Sequence, residues 1–199
     1  MLNIEIFLIG NGAVYYASTE PLCADDAYAA ALDAISPTRR ARAERYRDRE
    51  RAAQCVAAEL LLRHALRELG FADEPVFSRE KGKPHLLNAP HIDFNLSHTA
   101  GLAVCAVSAT CDVGADVERV RRTNIKVAER YFGADERRRI ELLPQSERDG
   151  AFFELWTRYE AAFKCGGSSM FTLTRRIGEY VLTYCERARE YVDSAGDLR

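Results

Sequence analysis

Ile92-Asp93-Phe94-Asn95-Leu96-Ser97, Leu102-Ala103-Val104-Cys105-Ala106-Val107 and Val113-Gly114-Ala115-Asp116-Val117 follow one another with only short breaks. The first stretch alternates apolar and polar residues, as a half-buried strand does. The second is a continuous apolar run, and the third sets a carboxylate, Asp116, between Ala115 and Val117. Working outward, residues 52–69 place Ala, Val and Leu at helical spacing and stop at Gly70. Residues 150–165 form a second amphipathic stretch, with Phe152, Trp156, Tyr159 and Phe163 as one apolar stripe, stopped by Gly166-Gly167. Ser36-Pro37 opens a further helix. Residues 125–132 and 134–143 read as helices broken by Gly133 and Pro144. Apolar runs at 2–9 and 13–17 flank Gly10-Asn11-Gly12, where Asn-Gly signals a hairpin. Short strands are expected near Pro75-Val76-Phe77 and over Tyr180 to Cys185. The resulting order, β, α, β and again β, α, β, predicts an α+β fold of two α/β halves meeting near residue 110, with domains 1–109 and 110–199.

The bulk numbers limit the function. The chain has 199 residues with 47% apolar and 29% charged, a globular composition. The N-terminus lacks a basic segment and reads as a strand rather than a signal peptide, and no apolar run is long enough to span a membrane. Cys23, Cys55, Cys105, Cys111, Cys165 and Cys185 show neither C-x-x-C nor zinc-finger spacing and read as buried thiols. A cytoplasmic protein without membrane association is expected. A net charge of −2 argues against a nucleic-acid binder. Residues 36–70 nevertheless carry nine arginines against five acids. That excess is either a solvated helical face or a patch for a phosphate-bearing ligand.

Candidate chemistry lies in two places. Asp116 and Glu118 are two apart on a strand and share a face. Two close carboxylates repel unless one is protonated or a cation sits between them, and oxygen ligands suit Mg²⁺. Glu160 and Lys164 are four apart on a helix and share its face. In isolation each pair is an ordinary surface feature. Lysine is scarce, at four residues (81, 83, 126 and 164), which singles out Lys164 as a group able to release a proton. Ser97-His98 is not a nucleophilic pair, because neighbours on an extended chain point to opposite faces.

Four blocks in order resemble the Sfp-type 4′-phosphopantetheinyl transferases. They are Lys81-Gly82-Lys83-Pro84-His85-Leu86, Phe94-Asn95-Leu96-Ser97-His98, Val113-Gly114-Ala115-Asp116-Val117-Glu118, and Phe153-Glu154-Leu155-Trp156 through Lys164. The resemblance implies a pseudo-dimer of two similar halves in one chain. It implies transfer of the phosphopantetheine arm of coenzyme A to a serine of an apo acyl or peptidyl carrier protein. Under it, Asp116, Glu118 and Glu160 hold Mg²⁺, Glu160 and Lys164 are catalytic, and Arg39, Arg42, Lys83, Pro84, Ser97 and His98 hold coenzyme A. Arg121 and Arg122 become candidates for docking an acidic carrier. A monomer is expected, since one chain supplies both halves. Three departures stand out. Tyr159 occupies a position where lysine is usual, Gln54 stands where arginine is common, and the second half looks shortened between Leu173 and Ile177. Two alternatives use the same residues: a Mg²⁺-dependent coenzyme A phosphohydrolase, and a non-catalytic protein binding the carrier or coenzyme A.

Overall fold

The computed structural model describes residues 2–78, 82–123, 128–167 and 171–189, with side chains at 128 and 129 excluded. Strand β1 (Glu5–Ile9) pairs antiparallel with β2 (Gly12–Ser18), Ile9 facing Gly12. The hairpin is where the sequence puts it, but its two turn residues are Gly10 and Asn11, not Asn-Gly. Gly10 takes the positive φ (+53°) at the first central position. Gly12 instead lies in the strand, where a Cβ would strike the Tyr184 hydroxyl.

Three helices follow: α1 (Asp25–Asp33), α2 (Pro37–Ala43) and α3 (Arg49–Glu68). Ser36 caps α2, its hydroxyl accepting the Arg39 amide at 3.3 Å, with Pro37 in the first turn. Gly70, at φ +80°, ends α3. Next come β3 (Asp93–Thr99), β4 (Leu102–Ser108) and β5 (Cys111–Arg119). Then α4 (Ala128–Tyr131), α5 (Ala134–Leu142) and α6 (Gln145–Lys164) precede the closing hairpin of β6 (Phe171–Ile177) and β7 (Tyr180–Ala188). Residues 125–127 of the helix expected over 125–132 lie outside the described residues. The strand expected at 75–77 is reduced to one bridge, Phe77 to Leu86. Helix α1 and strand β6 were not expected.

Two antiparallel sheets result, one ordered β1-β2-β4-β3 and the other β5-β7-β6. Strand alternation builds layers from them. In the first sheet Ala13, Tyr15, Ala17, Ala103, Cys105 and Val107 face α3, together with its Val56, Leu61 and Leu62. The intervening Val14, Leu102, Val104 and Ala106 face the second sheet, meeting Val113, Ala115, Val117, Leu182 and Tyr184. The far side of the second sheet carries α6.

The edges that meet, β3 and β5, are joined through side chains. Asp93 Oδ2 accepts from Val113 N (2.7 Å), Asn95 Oδ1 from Ala115 N (2.9 Å), Ser97 Oγ from Val117 N (3.3 Å) and Thr99 Oγ1 from Arg119 N (3.4 Å). Every second residue of β3 thus satisfies an edge amide of β5.

The stripe read on α6 needs correcting. Phe152 is buried, but Phe163 is 79% exposed and Tyr159 lies at the surface. The buried residues are Gly150, Phe152, Phe153, Thr157 and Ala161. Small residues are among them because the helix lies almost against the strand: a Cβ on Gly114 would collide with the Ala161 carbonyl and the Cys165 amide.

Candidate active site

Alternation along β5 sends Gly114, Asp116 and Glu118 toward α6. The bare Gly114 lets α6 descend, and this brings Lys164, one turn from Ala161, onto Asp116. Lys164 Nζ lies 2.6 Å from Asp116 Oδ1 and 3.4 Å from the Ala115 carbonyl. From the other side the Ser97 hydroxyl donates to the same Oδ1 at 2.8 Å. Asp116 is only 5% exposed, and its Oδ2 is buried with no hydrogen-bond partner. Burial raises its pKa above the usual aspartate value against the opposing pull of Lys164 and Ser97, and the Glu118 charge adds to the rise.

Glu118 sits on the same strand face and is more open. Its Oε2 accepts from Arg121 (2.9 Å) and, at 3.5 Å, from Thr99. Arg121 also stacks over Phe153, 4.8 Å from the ring centre. Together with Arg122, Thr123, Phe152 and Trp156 these residues line a cleft of about 240 Å³. Glu160 is half-buried on α6, one turn before Lys164. No described side chain bonds it, and among the described residues no three acidic, histidine or cysteine side chains stand close enough to hold one ion. The structure therefore brings Asp116 and Glu118 together without adding Glu160. Even so, the orphaned Oδ2 beside a second carboxylate fits a hard divalent cation, which would supply the missing partner.

The first half contributes cations. Buried Glu59 of α3 accepts from Ser36 N (2.6 Å), Ser36 Oγ (2.8 Å), Arg39 Nε (3.4 Å) and Arg63 Nε (3.0 Å). That network fixes α2, and with it Arg39 and Arg42. His98 lies open at the end of β3, its Nδ1 3.1 Å from the Gln54 amide oxygen. Desolvation, then the charges of Arg42, Arg39 and Lys164, hold its pKa below the usual histidine value. The charges of Arg39, Arg42 and Lys164 thus all reach His98, and of these groups Lys164 is the one that contacts Asp116. Lys83 is placed differently. It bridges Asp93 (2.5 Å) and the Val113 carbonyl (2.6 Å), three residues and about 10 Å along β5 from Asp116. Pro84 beside it is exposed, and Lys81 lies outside the described residues.

Three residues with structural roles at the site had been given no such part. Asn95 and Thr99 hold the seam, and their alternate spacing with Asp93 and Ser97 was a readable signal. Gln54 orients His98. Tyr159 points away from Asp116: its hydroxyl donates to Glu136 Oε2 (2.8 Å), which also accepts the Gly133 amide capping α5, and its ring stacks on Phe132.

Residues 112–183, which run from β5 into the first part of β7 and so include Asp116, Glu118, Glu160 and Lys164, match the family model described as the 4′-phosphopantetheinyl transferase superfamily. The chain is similar to 4′-phosphopantetheinyl transferases. It is 33% identical over 152 residues to 4′-phosphopantetheinyl transferase psf-1 of Bacillus pumilus, covering 73% of this chain and 65% of that one. Against 4′-phosphopantetheinyl transferase gsp of Aneurinibacillus migulanus the identity is 35% over 130 residues, or 64% and 54% of the two chains. Against 4′-phosphopantetheinyl transferase Sfp of Bacillus subtilis (strain 168) it is 26% over 139 residues, or 68% and 62%. The chain thus spans just under two thirds of psf-1 and Sfp and about half of gsp. The mixed α/β architecture with two antiparallel sheets is consistent with that fold. No described helix is long and apolar enough to cross a membrane.

Proposed function

We propose that this protein transfers the 4′-phosphopantetheine arm of coenzyme A to a serine hydroxyl of an apo acyl or peptidyl carrier protein, with Mg²⁺ held by Asp116 and Glu118. The observation that carries this reading is the meeting of Lys164 with the buried Asp116, on the strand face that also carries Glu118. A buried carboxylate with an unpaired oxygen adjoins a cationic group, as a metal–pyrophosphate site requires. Bound Mg²⁺ supplies charge neutralisation on the pyrophosphate. Arg39, Arg42 and His98 hold the phosphates of coenzyme A, with Lys83 and Pro84 gripping it further along the seam. Ser97 orients Asp116 at the same place. Glu160, which no described side chain engages, takes the serine proton. The serine oxygen forms a bond to the phosphorus carrying the pantetheine. The bond from that phosphorus to the bridging oxygen breaks, and adenosine 3′,5′-bisphosphate leaves with the electron pair. Lys164 neutralises that leaving phosphate, or protonates it, as an arginine cannot.

The same reading takes 1–109 and 110–199 as the two halves of a pseudo-dimer. Each has one sheet backed by a 20-residue helix, α3 or α6. The second half is smaller, with three strands against four. One chain supplies every residue of the cleft, which supports a monomer. None of the six cysteines is in a disulfide, and all are buried except Cys23, which is exposed where a buried thiol was expected; this supports a reducing, cytoplasmic setting. Arg121 and Arg122, on the open rim of the Glu118 cleft, are placed to receive an acidic carrier.

The test is to incubate the protein with coenzyme A, Mg²⁺ and a panel of apo carriers and to follow carrier mass. Gain of one phosphopantetheine on a carrier is expected. Coenzyme A cleaved with no gain on any carrier would point to a hydrolase, and retained binding without cleavage to a binding protein.

A further inference from the structure

The contacts of Asp116 bear on how ligands assemble at the site. Oδ1 already receives a hydroxyl proton from Ser97 and the ammonium of Lys164 at 2.6 Å. Oδ2 is shut off from solvent and points to no donor. A divalent ion on this carboxylate would stand within a few ångströms of the lysine charge. Two cations so placed in a poorly screened pocket repel strongly. The ion pair and metal binding at Asp116 are therefore antagonistic.

The antagonism is relieved if the lysine has another anion to bind. Lys164 is 26% exposed and carries a flexible four-carbon stem. The cations of the first half whose charges reach His98 are Arg39 and Arg42, with neutral His98 as a hydrogen-bonding group beside them, and the acids on β5 and α6 are Glu118 and Glu160. Among these groups a diphosphate is the ligand whose charge can draw Lys164 off Asp116, because it satisfies all the cations at once.

We propose that Lys164 acts as a competing counter-ion for Asp116, making capture of a divalent cation conditional on the arrival of a pyrophosphate-bearing ligand. The lysine is then a positioning residue that couples two ligands, in addition to its role on the leaving group. The inference rests on reading Asp116 and Glu118 as metal ligands. Coupling of this kind is reciprocal: the diphosphate must tighten metal binding by the same factor as the metal tightens diphosphate binding.

The test measures Mn²⁺ binding to the full chain by electron paramagnetic resonance of the free ion. It is run with and without saturating coenzyme A, and corrected for Mn²⁺ held by coenzyme A itself. The wild type should bind Mn²⁺ at least about 10-fold more tightly with coenzyme A than without it. Lys164→Met should bind Mn²⁺ about 10-fold more tightly than wild type without coenzyme A, and the coupling should shrink to the part that direct attraction between ion and diphosphate supplies. Lys164→Gln serves as the second variant if the methionine form does not give a native circular dichroism spectrum. Equal Mn²⁺ affinity of wild type and both variants without coenzyme A would overturn the proposal while leaving the metal site intact. Absence of Mn²⁺ binding in every arm would overturn the metal reading itself, and this proposal with it.

Discussion

Ser97 and Asp116, on facing edges of two sheets, form a buried hydrogen bond of 2.8 Å, and the same serine oxygen accepts the Val117 amide. One hydroxyl thus serves both the seam and the carboxylate at the centre of the site. Ser97→Ala removes both bonds and strands a buried amide. A loss of about 1–3 kcal/mol in urea unfolding is expected. Coenzyme A cleavage should fall as well, because Asp116 loses the donor that orients it. Unchanged stability would show that the seam does not depend on this rung.

Gly114→Ala tests the approach of α6 to β5. The added methyl meets backbone atoms of Ala161 and Cys165, which cannot move without shifting the helix. Thermal stability should fall, at about 1–3 kcal/mol for overpacking. Activity should fall further than stability accounts for, because Lys164 and Asp116 are drawn apart.

Tyr159→Phe deletes only the bond to Glu136 and keeps the stack on Phe132. The expected cost is about 0.5–1.5 kcal/mol in denaturant unfolding, with activity at the wild-type level. A large activity loss in this variant would place the tyrosine hydroxyl in the reaction.

His98 should titrate below the usual histidine range in a proton NMR series, since desolvation and then Arg42, Arg39 and Lys164 disfavour its charged form. The sign for stability follows. Between its folded pKa and the higher unfolded value the unfolded chain binds more protons, so this group makes stability rise with pH through that window. Gln54→Arg should lower the His98 pKa further. A phosphate ligand should raise it by stabilising the imidazolium.

Asp112 acts with the same sign in a more acidic window. Burial would raise its pKa, but Arg187 at 2.7 Å and Arg189 at 3.0 Å outweigh that and hold it below the usual aspartate value. Its contribution is present above the unfolded aspartate pKa, about 4, and is lost as pH falls through the folded value. Asp112→Asn should therefore be less stable at neutral pH and show a shallower loss on acidification, as followed by circular dichroism.

Much of this was legible in the sequence where a short period decides the outcome. The strand alternation of Asp116-Val117-Glu118 set both carboxylates on one face, and the i, i+4 spacing set Glu160 near Lys164. What joins the two pairs was not legible, because it depends on an absent side chain: Gly114 has no periodic signal, yet it admits α6. The aromatic stripe of α6 misled for the same reason, since glycine, alanine and threonine face the strand while Phe163 projects outward. Helix α1 was missed because its alanine-rich run has little hydrophobic contrast. Strand β6 was missed because Thr172, Thr174, Arg175 and Arg176 make its sequence look polar, and the strand is only half-covered.

The seam between the sheets also restricts how this chain can vary in length. Each rung joins a β3 side chain to the amide twenty residues later, at 93 to 113, 95 to 115, 97 to 117 and 99 to 119. Because strands alternate, gaining or losing one residue in β4 or its flanking turns would turn every rung to the wrong face together. Loops elsewhere can drift in length, but the stretch between Thr99 and Val113 is metrically locked. It acts as a ruler that holds the carboxylates of one sheet level with the histidine of the other.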